Sequence, residues 1–246
     1  MKYKHLFFDL DGTLWDLRRN TRIALEAIYA DFSGDGLLPE HFEHFYRRYI
    51  YHNDQVWALY REGKIEKHVL RVVRFERAFL DIGFTASAEL CDRFADAFLD
   101  LCPRQPHLLP GALEVLDYCK KHYTLHIITN GFKEVQGIKM AAGKLDHYFT
   151  HVINSEDAGF KKPHAGIFQH AFELAGTNAA ESLMIGDDWD ADILGARNIG
   201  MDQIFLTTTE DLLEEVSPGL TIRHNYKPTA TISALPEMID FLERNN

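Results

Sequence analysis

Short apolar runs that end in polar turns, with amphipathic helical stretches between them, are what most narrows the fold open to this 246-residue chain. The first run, residues 5–10, reads as a buried strand closed by the turn Asp11-Gly12-Thr13. After Pro103, Pro106 and Pro110-Gly111 the alternation becomes regular. A helix over 112–121 precedes strand Leu125–Ile128, and a helix over 133–143 precedes a short strand near Val152-Ile153. A helix over 164–175 leads to strand Leu183–Ile185, and one over 190–199 to strand Ile204–Leu206. Thr229–Ile232 fits a last strand before a helix over 235–244. Strand alternating with helix predicts parallel βαβ units. The expected class is α/β, a Rossmann-like parallel sheet core with helices on both faces.

Between the first strand and this block the periodicity is helical throughout. Apolar stripes run Ala24, Ala27, Ile28, Phe32; then Phe42, Phe45, Tyr46, Tyr49; then Val69, Val72, Val73, Phe79; then Leu90, Phe94, Ala95, Phe98. Each stripe gives one buried face, so about four helices can pack as a bundle. The expected domains are therefore an α/β core from 1–15 and 105–246, and an inserted helical cap of four-helix type over 16–104.

Charge and cysteine content bound the setting. With 26 Lys+Arg against 37 Asp+Glu the formal charge is −11, which argues against nucleic-acid polymers or anionic membranes as partners. A small anionic substrate stays compatible with it. Cys91, Cys102 and Cys119 are odd in number and form no CxxC pair, which reads as reduced and cytoplasmic. No apolar stretch approaches the roughly 18 residues that a membrane span needs. Oligomeric state is not legible in the sequence.

Polar signals gather where the predicted strands end: Asp9 and Asp11, Thr129-Asn130, Lys161-Lys162-Pro163 and Asp187-Asp188. In open parallel sheets the ligand crevice lies at those carboxyl ends. Asp9 and Asp11, two apart on an extended segment, can project to one side. Close carboxylates after a run of Leu and Phe are costly unless a cation or a proton separates their charges, and Mg²⁺ suits a few carboxylates, waters and phosphate oxygens.

These segments, in this order, resemble the four motifs of the haloacid dehalogenase-like hydrolase superfamily. Asp9-Leu10-Asp11-Gly12-Thr13-Leu14 is similar to the first, Thr129-Asn130-Gly131 to the second, Lys162-Pro163 to the third, and Gly186-Asp187-Asp188 through Asp192 to the fourth. The helical insertion resembles the cap of the family's first subclass. The resemblance implies a Mg²⁺-dependent phosphatase with Asp9 as nucleophile, an aspartyl-phosphate intermediate, and Asp11 as acid and then base. It assigns Mg²⁺ to Asp9, Asp11 (through its backbone carbonyl) and Asp187, and the phosphoryl oxygens to Thr129, Asn130 and Lys162. Asp192 would support the metal's water shell or orient Lys162, and Asp188 falls between metal shell and helix cap.

The finer resemblance is to cytosolic nucleotidases acting on pyrimidine nucleoside monophosphates. It rests on Phe7-Phe8-Asp9, Ile127 through Phe132, Ser182 through Gly195, and Tyr60 through Ile65. Asp188 departs from it, since a small residue is more usual there. A sugar phosphomutase shares the same motifs, and a non-catalytic phosphate-binding regulator is the remaining alternative. Trp15 and Asp16 are candidates for substrate contact. The 13 histidines form no recognisable metal motif and read as surface or core residues.

Overall fold

The computed structural model describes residues 2–34, 36–39, 41–207 and 226–245. They fall into two compact units, Met1–Asp16 with His107–Asn246, and Leu17–Pro106.

The first unit is built on six strands: β1 His5–Phe8, β2 Thr124–Thr129, β3 His151–Asn154, β4 Ser182–Gly186, β5 Asp202–Leu206 and β6 Ala230–Ile232. All pair in parallel, in the order β3-β2-β1-β4-β5-β6. The class is α/β, as the alternation predicts. β1 and β4 are buried at nearly every position, which is why they read as unbroken apolar runs rather than as alternating ones. On one face Phe7, Ile128, Ile153 and Met184 pack with Ile167, Phe168 and Ala171 of a helix over Ala165–Ala175. Leu6, Phe8, Leu125, Ile127 and Ile185 alternate to the other face and are equally buried.

The order places β1 between β2 and β4: the chain runs from β1 through β2 to β3 on one side, then crosses back to β4 and runs out to β6 on the other. A crevice opens at such a switch point, beyond the carboxyl ends of the strands. One expected helix differs: residues 189–194 form a wide π turn, Trp189–Leu194, before a short α-helix, Gly195–Asn198. A periodicity read over ten residues does not separate a wide turn from a regular one, and such turns occur often at functional sites.

The second unit holds four helices, α1 Leu17–Gly34, α2 Phe42–Arg61, α3 Lys67–Asp81 and α4 Ala88–Leu101. Each packs on the next and α4 returns to α1. Its centre is aromatic: Phe45 contacts Tyr29, Tyr49, Phe79 and Phe94 at ring-centroid distances of 4.7–6.4 Å. Buried Arg74 donates to Asn53 Oδ1 at 3.0 Å, and its guanidinium lies 4.9 Å and 5.1 Å from the ring centroids of Phe75 and Phe98. Ring faces thus take part of the role of a carboxylate. Among the described residues no helix is long and apolar enough to cross a membrane.

Three of the histidines stack across the sheet. His126 lies between His5 and His151, at 5.3 and 5.4 Å between ring centroids, with Phe7 at 4.6 Å. Burial, helped by the neighbouring rings of His5 and His151, pushes the His126 imidazolium down to about 4. Between pH 6.5 and 4 the unfolded chain therefore binds a proton there that the folded chain refuses. Stability from this group is complete above 6.5 and is lost as pH falls towards 4. His126→Phe, which keeps the ring stack, should flatten urea-midpoint stability over that window by up to about 1.4 kcal/mol per pH unit. An unchanged slope would show that His126 does not titrate this way.

Candidate active site

The backbone leaving β1 turns back at once. Leu14 and Trp15 both donate their N–H groups to the Leu10 carbonyl, at 3.0 and 2.8 Å, and Gly12 donates to Trp15 O at 3.0 Å. Gly12 sits at φ +89°, and a Cβ there would meet Asp187 Oδ2 at 2.3 Å. A side chain at position 12 is thus excluded both by conformation and by the carboxylate behind it. This turn places Asp9 and Asp11 at the end of the central strand.

Asp9 is buried, with 7% exposure. Lys162 Nζ donates to Asp9 Oδ1 at 2.5 Å, to Asp192 Oδ1 at 2.6 Å and to the Ile128 carbonyl at 2.8 Å. Asn130 holds the backbone of this lysine from both sides: Lys162 N donates to Asn130 Oδ1 at 2.8 Å, and Asn130 Nδ2 donates to Lys162 O at 2.9 Å. The tips of two sequence-distant loops are joined in this way. Asp187 accepts from the fully buried Thr13 hydroxyl at 2.6 Å. Asp192, wholly buried, also accepts from the Asp188 N–H at 3.1 Å.

Asp9, Asp187 and Asp192 each bring a carboxylate oxygen within 4.8 Å of the others. Burial raises the pKa of all three; repulsion from Asp9 adds to it at Asp187 and Asp192, and repulsion from Asp11 adds to it at Asp9. Asp192 is lifted to about 7 despite the opposing pull of Lys162. Burial works against the Lys162 charge too, but Asp192 and Asp9 outweigh it and hold the ammonium well above its ordinary value. One lysine among three carboxylates leaves negative charge uncompensated. An all-oxygen carboxylate set of this kind suits a hard divalent cation such as Mg²⁺.

The Asp11 carboxylate lies outside that cluster. Lys139 Nζ reaches its Oδ1 at 2.7 Å and its Oδ2 at 2.9 Å, and Gln136 Nε2 donates to Oδ2 at 3.0 Å. Thr129 Oγ1 accepts from Gly131 N at 3.0 Å and from the same Gln136 amide at 3.3 Å. Asp188 acts as a cap: its Oδ1 accepts from the N–H groups of Asp190 and Ala191 at 3.0 and 2.9 Å. Trp15 is fully buried, with the Lys139 ammonium 4.7 Å from its ring centroid.

The model of the haloacid dehalogenase-like hydrolases matches residues 3–200. The chain belongs to this family. Pyrimidine 5'-nucleotidase YjjG of Escherichia coli (strain K12) is 30% identical to this hydrolase, over 98% of the present chain and 99% of its own. Pyrimidine 5'-nucleotidase PynA of Streptococcus pneumoniae is 29% identical, over 100% and 97%. Among solved structures, HAD-hydrolase YfnB from Bacillus subtilis, bound to magnesium, superimposes with a TM-score of 0.83 at 25% identity, covering 99% of this chain and 100% of that one.

Three residues of this hydrolase's site escape a reading of motifs. Thr13 belongs to the first motif but passes for a turn residue, although its hydroxyl is what Asp187 accepts from. Gln136 and Lys139 lie on a helix, Lys133–Ala142, whose buried residues are Val135, Gln136, Lys139 and Met140. A glutamine and a lysine at i and i+3 on the buried face are the signal that was available. A lysine in a helix's last turn passes easily for a solvated one that complements the dipole.

Proposed function

We propose that this hydrolase is a phosphoric monoester hydrolase working through an aspartyl-phosphate on Asp9. The observation that carries the reading is the buried set Asp9, Lys162, Asp187 and Asp192 at the switch point of the sheet, with Asp11 beside it. An Asp9 oxygen attacks phosphorus as the ester P–O bond breaks, and the Asp11 carboxyl gives its proton to the leaving oxygen. Asp11 then takes a proton from water, whose oxygen attacks phosphorus. The bond from Asp9 to phosphorus breaks, and inorganic phosphate leaves.

Lys162 balances the charge that Asp9 and the phosphoryl group bring together. Thr129 and Asn130 bind phosphoryl oxygens, and Asn130 also fixes the loop that carries Lys162. Asp9, Asp187 and the Asp11 backbone carbonyl would hold Mg²⁺, with Asp192 in support. When bound, the ion supplies charge neutralisation between two anions. The substrate class is small phosphomonoesters, nucleoside 5'-monophosphates first among them, as the two nucleotidase relatives support. Three free, buried cysteines fit a cytoplasmic setting.

A panel of nucleoside monophosphates and sugar phosphates, assayed for released phosphate with Mg²⁺ and with chelator, tests the reading. We expect Mg²⁺-dependent release, with kcat/KM at least about tenfold higher on pyrimidine nucleoside monophosphates than on hexose phosphates, within the reach of pocket discrimination. Isomerised sugar phosphate without free phosphate would overturn it in favour of a mutase. Binding without turnover would overturn it in favour of a regulator.

A further inference from the structure

An aspartate side chain on a tight turn ordinarily samples several rotamers, and the Asp11 carboxylate is only partly buried, at 18% exposure. Here it is held at both oxygens. The Lys139 ammonium spans Oδ1 and Oδ2 at 2.7 and 2.9 Å, and the Gln136 amide adds a third bond to Oδ2 at 3.0 Å. The holders are themselves fixed, since Gln136 is 2% exposed and Lys139 8%. Gln136 is anchored further on Thr129 Oγ1 at 3.3 Å, and the Lys139 ammonium lies over the buried Trp15 ring. Gly131 keeps the passage open, because a Cβ there would come within 1.4 Å of Gln136 Nε2 and 3.0 Å of Asp11 Oδ2.

A lysine on the buried face of a helix loses hydration that a surface lysine keeps. This one spends its charge on a carboxylate outside the Asp9–Asp187–Asp192 cluster. No packing need calls for a lysine there, since the same face carries Val135 and Met140. We infer that Lys139 and Gln136 are positioning residues that hold the Asp11 carboxylate in place for proton transfer to the leaving oxygen, with Trp15 as the backing plane. The inference rests on the phosphomonoesterase reading above. In that first step the ester P–O bond breaks as the bond from Asp9 to phosphorus forms, and the Asp11 proton passes to the departing oxygen. A proton donor held within a fraction of an ångström of its working place keeps its full effect, whereas a loosely held one loses much of it.

The signature is a dependence on the leaving group. p-Nitrophenolate departs readily without a proton, but the alkoxide of a nucleoside does not. We expect Lys139→Met to lower kcat/KM on a nucleoside 5'-monophosphate about 100-fold, and to lower it at least tenfold less on p-nitrophenyl phosphate. This ratio reports phosphoryl transfer to Asp9 alone, because kcat/KM covers the steps up to the first irreversible one. Gln136→Leu, which removes one hydrogen bond to Asp11, a longer one to Thr129 and no charge, should show the same pattern at about tenfold on the nucleotide. It keeps the question open to measurement if the lysine variant fails to fold. Equal losses on the two esters in an active, folded variant would overturn the positioning role and make Lys139 a general phosphate-binding or structural group. A wild-type protein that hydrolyses neither ester would overturn the phosphomonoesterase reading itself, and this inference with it.

Discussion

Asp9→Asn should leave a folded protein whose release of phosphate, in saturating Mg²⁺, is at least about 10⁴-fold below wild type, because the amide lacks the oxygen nucleophile that covalent catalysis requires. The geometry makes this a clean experiment. Asparagine matches aspartate in shape, and Lys162 keeps Asp192 at 2.6 Å and the Ile128 carbonyl at 2.8 Å as partners. Burial already disfavours charge on Asp9, with Asp11 adding to that against the pull of Lys162. A neutral amide also lifts one repulsion from Asp187, on which Asp9 is the largest charge influence. The variant's Tm without metal should therefore equal or exceed that of wild type. A loss of activity smaller than about tenfold would remove Asp9 as the nucleophile; a matching fall in Tm would make the loss structural.

The second large effect concerns the lysine at the centre of the cluster. Lys162→Met deletes an ammonium that touches both Asp9 and Asp192, leaving buried carboxylates without this counter-charge. Breaking a buried pair from one side costs about 3–5 kcal/mol, and activity should fall at least about 10³-fold once a charge-stabilising group is gone. The stability deficit should shrink from pH 8 to pH 5. Asp192, already lifted to about 7 with Lys162 in place, rises further without it and becomes neutral as the medium acidifies. The double variant Lys162→Met/Asp192→Asn removes part of the stranded charge and should regain most of the stability in urea titrations, but none of the activity. A single variant as stable as wild type at pH 8 would show that the lysine does not compensate these carboxylates.

The α/β class was legible because a parallel sheet leaves a strong mark on sequence. Leu6-Phe7-Phe8, Leu183-Met184-Ile185 and Ile127-Ile128 are apolar on consecutive residues, as strands covered on both faces must be. The stripes of α2 and α4 were equally clear, since Phe45, Tyr49, Phe94 and Phe98 all turn inward. On α3 the expected stripe was misplaced: Val69 is 37% exposed, and the buried face is Leu70, Arg74, Phe75, Ala78 and Phe79. What stayed hidden depended on contact across distance. His5, His126 and His151 sit on three different strands, and only the register of the sheet brings them into one stack. The π turn at Trp189–Leu194 changes the pitch of a helix without changing which residue types it prefers. Asp188 could be read as cap or metal-shell residue until its bonds to Asp190 and Ala191 were visible. Gln136 and Lys139 belong to a helix whose other buried residues advertise packing alone.

The glycines around the centre carry a consequence for how such a protein can vary. A Cβ at Gly186 would meet Asp192 Oδ2 at 2.2 Å, as one at Gly131 would meet the Gln136 amide. Neither residue has a group that could take part in the reaction, yet each occupies the space through which a functional side chain passes. In a library randomising this region, positions 131 and 186 would therefore be as restricted as the acidic residues themselves. Tolerance to mutation around this centre is governed by the volume its backbone leaves empty as much as by the groups that react.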